Sequence, residues 1–390
     1  GLVAEFETEL AILRGRVDGL EARVGELEAT QFSTTTKLKG VATFVVGANQ
    51  FRGSANALKQ HSNGSFGATT FNNDLQLNLE TSFTGKDQLI SVLRAGNFNA
   101  DNNVFGGAGP TNFSTLETAF QEGDKPNQLT IDKLFYSFPI GSQLTVTAGP
   151  RVGQEDMLAI WPSFYPSDAI LDVLTLNGAP AAYNKNLGVG AGIRWDEPTG
   201  FRLAANYVAA NGSTSTTSEG GLATTHAGST GTVQMGYARE AWSVAAIYTA
   251  IQNGDDLITY ASPFTQASLS NKGMTHAFGL GGSWQVLDEH WIPSISAGWG
   301  INVSDASHNG DVQTSQSWTA GLEWNNIFMD STSVGIAVGQ PVFATDLKGD
   351  DTPNDGQFIW EAWLQVNVTD AITVTPALFY LSRPLGQDTP

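Results

Sequence analysis

The stretch Leu187-Gly-Val-Gly-Ala-Gly-Ile-Arg-Trp195, the turn Glu197-Pro-Thr-Gly200 and the return Phe201-Arg-Leu-Ala-Ala-Asn-Tyr207 decide how this chain folds. Leu187, Val189, Ala191, Ile193 and Trp195 alternate with Gly188, Gly190, Gly192 and Arg194. A period of two puts one set on each face of a β-strand, because successive side chains of an extended backbone point in opposite directions. Across the turn the alternation resumes, with Phe201, Leu203, Ala205 and Tyr207 against Arg202, Ala204 and Asn206. The unit is therefore an antiparallel hairpin with one greasy and one wet face.

Working outward, the pattern recurs. Leu75, Leu77, Leu79 and Phe83 oppose Gln76, Asn78, Glu80 and Ser82, and Trp318, Ala320, Leu322 and Trp324 oppose Thr319, Gly321, Glu323 and Asn325. Fifteen such segments can be read, near 37–48, 69–84, 88–98, 129–140, 143–152, 187–196, 200–210, 229–239, 241–252, 273–286, 291–303, 312–326, 332–344, 356–369 and 371–383. Short links (84–86, 141–142, 197–199, 369–370) alternate with long polar ones (49–68, 99–128, 153–186, 211–228, 253–272). That layout is an up-and-down meander with tight turns at one end and long loops at the other, as in outer-membrane barrels.

Composition sharpens the choice. Only 15% of the 390 residues are charged, against about 25% in an ordinary soluble domain. The wet faces carry Gly, Ser, Thr, Asn and Gln rather than Lys and Glu, which suits a confined aqueous lumen. Trp195, Tyr237, Trp242, Tyr248, Trp284, Trp291, Trp324 and Tyr380 lie at or near segment ends on or beside the greasy face, where rings meet lipid headgroups. Open sheet edges do not survive in hydrocarbon, so the strands must close on themselves. Bacterial single-chain barrels have even strand numbers. The expected fold is all-β: a transmembrane antiparallel up-and-down β-barrel of sixteen strands, fifteen of them readable, with the closing strand outside this sequence.

A net charge of −19 excludes a nucleic-acid partner. The absence of cysteine excludes disulfides, thiolate metal sites and cysteine nucleophiles. No nucleophile-elbow, zincin or P-loop motif is found, so no enzyme and no cofactor is expected. The acidic run Asp346, Asp350, Asp351, Asn354, Asp355 could hold Ca²⁺ or solvate an external turn, and the second reading is taken.

Before the strands the period changes. Val3, Phe6, Leu10, Leu13, Val17, Leu20, Val24 and Leu27 are spaced alternately by three and four, a coiled-coil seam. Charged residues at its flanks pair with opposite sign, Glu9 with Arg14, Arg16 with Glu21 and Arg23 with Glu28, as parallel in-register self-association needs. Residues 1–30 are thus expected to form a coiled-coil stalk and 31–390 the outer-membrane pore. The core residues lean towards a dimer without fixing the number.

This coiled coil, then Gln31-Phe-Ser-Thr-Thr-Thr-Lys-Leu-Lys-Gly-Val-Ala-Thr-Phe44, a long middle loop and Leu378-Phe-Tyr-Leu-Ser-Arg-Pro384 resemble the cyanobacterial outer-membrane porins, relatives of the OprB-like carbohydrate-selective porins and often described as iron-uptake porins. The resemblance covers essentially the whole chain. It implies that residues 1–30 are a periplasmic stalk, that the chain forms a homotrimer, and that a domain of the surface-layer-homology type, which binds cell-wall polymer, precedes it.

The loop 153–186 is long and apolar, with Trp161-Pro-Ser-Phe-Tyr-Pro-Ser and then Asp168-Ala-Ile-Leu-Asp-Val-Leu, which reads as a short helix capped by Ser167. Such a loop is expected to tuck into the lumen as a constriction. Its acids Glu155, Asp156, Asp168 and Asp172 would face Lys133, Arg151, Arg194 and Arg202, with Lys185 at the loop's return. The overall charge points to cations and the bases point locally to anions. The leading expectation is a passive channel for small hydrophilic solutes and inorganic ions, iron species among them. The alternatives are a tether between outer membrane and cell wall, and a soluble secreted β-protein.

Overall fold

A computed structural model describes residues 15–17, 19, 20, 23, 35–254, 257–269, 273–287, 291–327, 331–349 and 352–389. Of the seam, Val17 and Leu20 lie on described helical residues and are exposed. Val3, Phe6, Leu10, Leu13, Val24 and Leu27 lie outside the described residues.

The strands follow in order: β1 (Thr35–Gly47), β2 (Thr70–Ser82), β3 (Gln88–Gly96), β4 (Thr130–Ile140), β5 (Leu144–Gly153), β6 (Leu187–Asp196), β7 (Phe201–Ala209) and β8 (Ser229–Arg239). Then come β9 (Trp242–Gln252), β10 (Met274–Trp284), β11 (Ser294–Ser304), β12 (Val312–Asn325), β13 (Thr332–Leu347), β14 (Phe358–Thr369), β15 (Ile372–Val374) and β16 (Ala377–Ser382). Each pairs antiparallel with its sequence neighbour from β1 to β15, and β16 returns to β14. β15 and β16 flank Thr375-Pro376 and lie end to end on the same edge of β14, at Val374↔Val366 and Ala377↔Trp363. Proline has no N–H to give to a ladder, so one readable segment becomes two of the sixteen strands.

The sheet curls round on itself. Phe105, from the β3–β4 connection, meets the Phe379 ring of β16 edge-on at 6.4 Å. The Phe105 ring also covers Gly47 at the end of β1, where an added Cβ would stand 2.7 Å from it. First and last strands therefore converge on one side chain.

The two faces invert the rule of water-soluble cores. On β8, Val233 and Met235 are 54% and 50% exposed while Thr232 and Gln234 are 1% and 0%. On β10 and β11, Phe278, Leu280, Ile295 and Trp299 face out while Ala277, Ser296 and Asn302 are enclosed. Apolar surface left outside costs about 25 cal/mol per Å² in water, which a hydrocarbon surround removes. Outward aromatic residues gather at the short-turn end: Tyr237 stacks on Trp242 at 5.4 Å, Trp242 pairs with Trp284 across the β9–β10 ladder, and Trp324 Nε1 donates to the Trp291 carbonyl at 3.1 Å.

Candidate pore constriction

The connection between β5 and β6 runs inside the barrel and is stitched to its wall. The inner side chains of β8 and β9 act as the missing strand partner. Gln234 Oε1 accepts from the Ala159 and Ile160 amides at 2.9 and 3.0 Å, and its Nε2 donates to the Ile160 carbonyl at 2.7 Å. Gln154, fully buried, donates to the Ala182 carbonyl and to Thr232 Oγ1, both at 2.8 Å. Further round, Ser296 Oγ accepts from the Phe164 and Tyr165 amides at 2.8 and 3.0 Å. At Gly298 the loop lies directly on the strand backbone: an added Cβ would come within 1.8 Å of the Asn177 carbonyl oxygen.

On β14 a buried carboxylate completes the seam. Glu361 accepts from the Tyr165 hydroxyl and, at 2.8 Å, from the Leu171 amide, while Trp363 Nε1 donates to Tyr165 Oη at 2.8 Å. This corrects the expected helix beginning at Asp168 under a Ser167 cap. The helix is Asp172–Thr175, its N-cap Leu171 makes no side-chain cap bond, and the Leu171 amide is itself taken by Glu361 of the wall. Burial and the facing Glu361 push the Tyr165 hydroxyl far above its usual range, so it stays a donor.

Two other connections join this loop. The 97–129 segment brings Phe98, Val104, Phe105, Phe113 and Leu116 into one apolar cluster with Leu171, Val173, Leu174 and Tyr183. A β-bridge joins Leu116 to Leu171. From the segment after β9, Leu257, Ile258 and Tyr260 enter the same cluster. Sequence reading took 99–128 and 253–272 as plain polar links. The signal missed was Val104-Phe105 and Phe113, apolar content of the kind that gave away 153–186.

Of the expected bases, Lys133 and Lys185 meet loop acids, at contact rather than across a gap, whereas Arg151, Arg194 and Arg202 pair with other carboxylates instead. Lys133 on β4 bridges Glu155 at 2.7 Å and Asp156 at 2.8 Å. Lys185 bridges Asp172 at 2.9 Å and Glu117 at 3.1 Å, and Tyr260 Oη donates to the far oxygen of Asp172 at 2.5 Å. Arg151 reaches Glu122 at 2.9 Å, while Arg194 and Arg202 share Asp196 at 2.7 and 3.5 Å. Arg94, absent from the expectation, holds Asp74 at 2.8 Å and lies 3.7 Å from Asp132. Asp168 is exposed on the loop and has no ion-pair partner among the described residues. Glu117, Glu122, Asp196, Asp74 and Asp132 are thus the paired carboxylates that sequence reasoning missed. Face parity shows which side a strand residue takes but not which loop residue reaches its depth.

Burial governs the loop charges. It raises the Glu117 carboxyl above its usual range despite Lys185, and raises Asp156, which also stands beside Glu155. For Lys185 burial works against the charge, but Asp172 and Glu117 outweigh it and hold the ammonium above its usual value. Asp355 in the acidic run is buried, accepting from Ser262 Oγ at 2.5 Å, Thr265 Oγ1 at 2.7 Å and the Ala344 amide at 2.8 Å. This residue ties loops together instead of solvating a turn.

A curled antiparallel sheet with a greasy exterior, short turns at one end, long loops at the other and a loop sewn to its inner wall defines an outer-membrane porin, a channel and not an enzyme. The chain matches the carbohydrate-selective porin, OprB family, over residues 2–389 and belongs to that family. This confirms the family resemblance drawn from the sequence. An uncharacterized protein of Nostoc sp. is 28% identical, over 99% of this chain and 68% of its own length. Another from Synechocystis sp. is 25% identical, over 98% and 71%. Among solved structures, OprB of Pseudomonas putida at high pH superposes with TM-score 0.59 at 14% identity, covering 93% of this chain and 92% of that one. OmpT of Vibrio cholerae in its trimer form gives 0.55 at 8%, covering 90% and 89%; both show the fold.

Proposed function

We propose that this porin passes small hydrophilic solutes and inorganic ions by passive diffusion, and that the loop 153–186 with its partners from 97–129 and 257–269 forms the constriction. The observation carrying this reading is the stitched inner loop, whose hydrogen bonds to Gln234, Ser296 and Glu361 hold it against the enclosed wall. Lys133, Arg151, Glu155, Asp156, Asp168, Asp172, Lys185, Arg194 and Arg202 would then line or brace the passage. Neutral sugars fall within the solute class, in keeping with the family description, as do hydrated iron species.

The short turns would face the periplasm, with 31–390 as the pore and 1–30 as a stalk whose heptads gather copies of the chain. The trimer form of the similar OmpT supports a homotrimer. Reconstitution into planar bilayers should give stepwise conductance, with closures in units of three, and proteoliposomes should swell in small sugars. Insertion without conductance would leave the tether reading in its place.

A further inference from the structure

We infer that the passage prefers cations, and that Asp168 and Glu323 set that preference. The inference rests on the porin reading above and names the class of permeant that the constriction favours.

The wall from β3 to β7 carries the bases that would attract anions, but none of them is free. Each lies within 2.7 to 3.5 Å of at least one carboxylate, and Lys185 of the loop sits between two. These six bases meet eight carboxylates, so the pairs leave a surplus of acid. On β1, Lys39 is bound to Glu80 at 2.7 Å, and Lys37 stands opposite the same Glu80 in the ladder.

The far wall is different. Glu323 lies on the enclosed face of β12, paired in register with Ser294 and two residues from Gly321, on which the Tyr165 ring packs. The loop that carries Asp168 is sewn to the same wall through Ser296. Neither Asp168 nor Glu323 has an ion-pair partner among the described residues. Among the described residues, an anion entering this zone finds bases already neutralised, whereas a cation meets two carboxylates without an ion-pair partner, charged in alkaline buffer, in a confined space where counter-charge concentrates.

The test is the reversal potential across a tenfold KCl gradient in planar bilayers, kept at or below about 0.1 M, where the screening length is ~10 Å. The expected result is a K⁺ to Cl⁻ permeability ratio above one that falls towards one in Asp168→Asn with Glu323→Gln, in channels that still open. Asp168 is exposed and Glu323→Gln is isosteric, so folding is preserved; heat-modifiable migration checks it. The companion variant Arg194→Gln, which frees Asp196 from its nearer base, should raise the ratio. A ratio at or below one in the unaltered protein, or one unmoved by the double substitution, overturns the inference while leaving the porin reading intact. A protein that inserts and never conducts overturns both.

Discussion

Removing the Glu361 carboxylate should loosen the inner loop, and the structure sets the size of the effect. In Glu361→Ala the Leu171 amide and the Tyr165 hydroxyl both lose their acceptor, at residues 0% and 4% exposed. Each buried donor left unmade costs about 1–3 kcal/mol, so about 2–6 kcal/mol is withdrawn from the docked loop. At 1.4 kcal/mol per tenfold, the opened population of residues 171–175 rises from about 30-fold to about 10⁴-fold. Amide hydrogen exchange at Leu171, Val173 and Leu174 reads that population, and single-channel recordings should show it as flicker. Glu361→Gln keeps one acceptor oxygen and should give roughly half the free-energy loss. If exchange at these amides and the current trace match the unaltered protein, the carboxylate is not what holds the loop and the reasoning fails.

Three further outcomes follow from the same geometry. Gly298→Ala puts a Cβ where the Asn177 carbonyl lies, 1.8 Å away; the overpacking should cost about 1–3 kcal/mol and push the loop towards the opposite wall, lowering both melting temperature and conductance. Glu117, raised by burial, binds its proton more tightly in the docked state, so its contribution is complete below the ordinary carboxylate range and declines as pH rises through its folded value. Current noise should therefore fall on acidification, and Glu117→Gln should abolish that response. Asp87, in the β2–β3 turn, is held below the usual carboxylate range because hydrogen bonds from Tyr136, Thr84 and Ser82 outweigh its burial. Its contribution is present at neutral pH and lost only as pH falls through that depressed value, so Asp87→Ala should lower the melting temperature at pH 7 and far less in strong acid.

The barrel was legible because its signal is strictly local. A period of two needs only neighbours, and strands such as β6 and β8 fall on the expected residues within one or two positions. Proline accounts for the one strand that divides, at Pro376. The inward loop was legible for a different reason: Trp161, Phe164, Tyr165 and Leu171 are too apolar to be left in water on an exterior loop. Its partners were not, because they come from elsewhere in the chain. Nothing near Lys185 announces Glu117, and a single Glu on the wet face of β14 gives no hint that it caps an amide 190 positions away. The heptad seam reads clearly in sequence, but six of its eight residues lie outside the described residues.

The central claim is that the apolar stripe of each strand faces acyl chains while its alternate encloses water. Because the chain has no cysteine, single cysteines can be placed cleanly at Ile193 and Val233 on one face and at Arg194 and Arg202 on the other, and titrated in lipid vesicles with a charged, membrane-impermeant thiol reagent. The account predicts that 194 and 202 react while 193 and 233 stay silent and have their attached fluorophores quenched by brominated acyl chains. Reaction at 193 and 233 with no lipid quenching would contradict it.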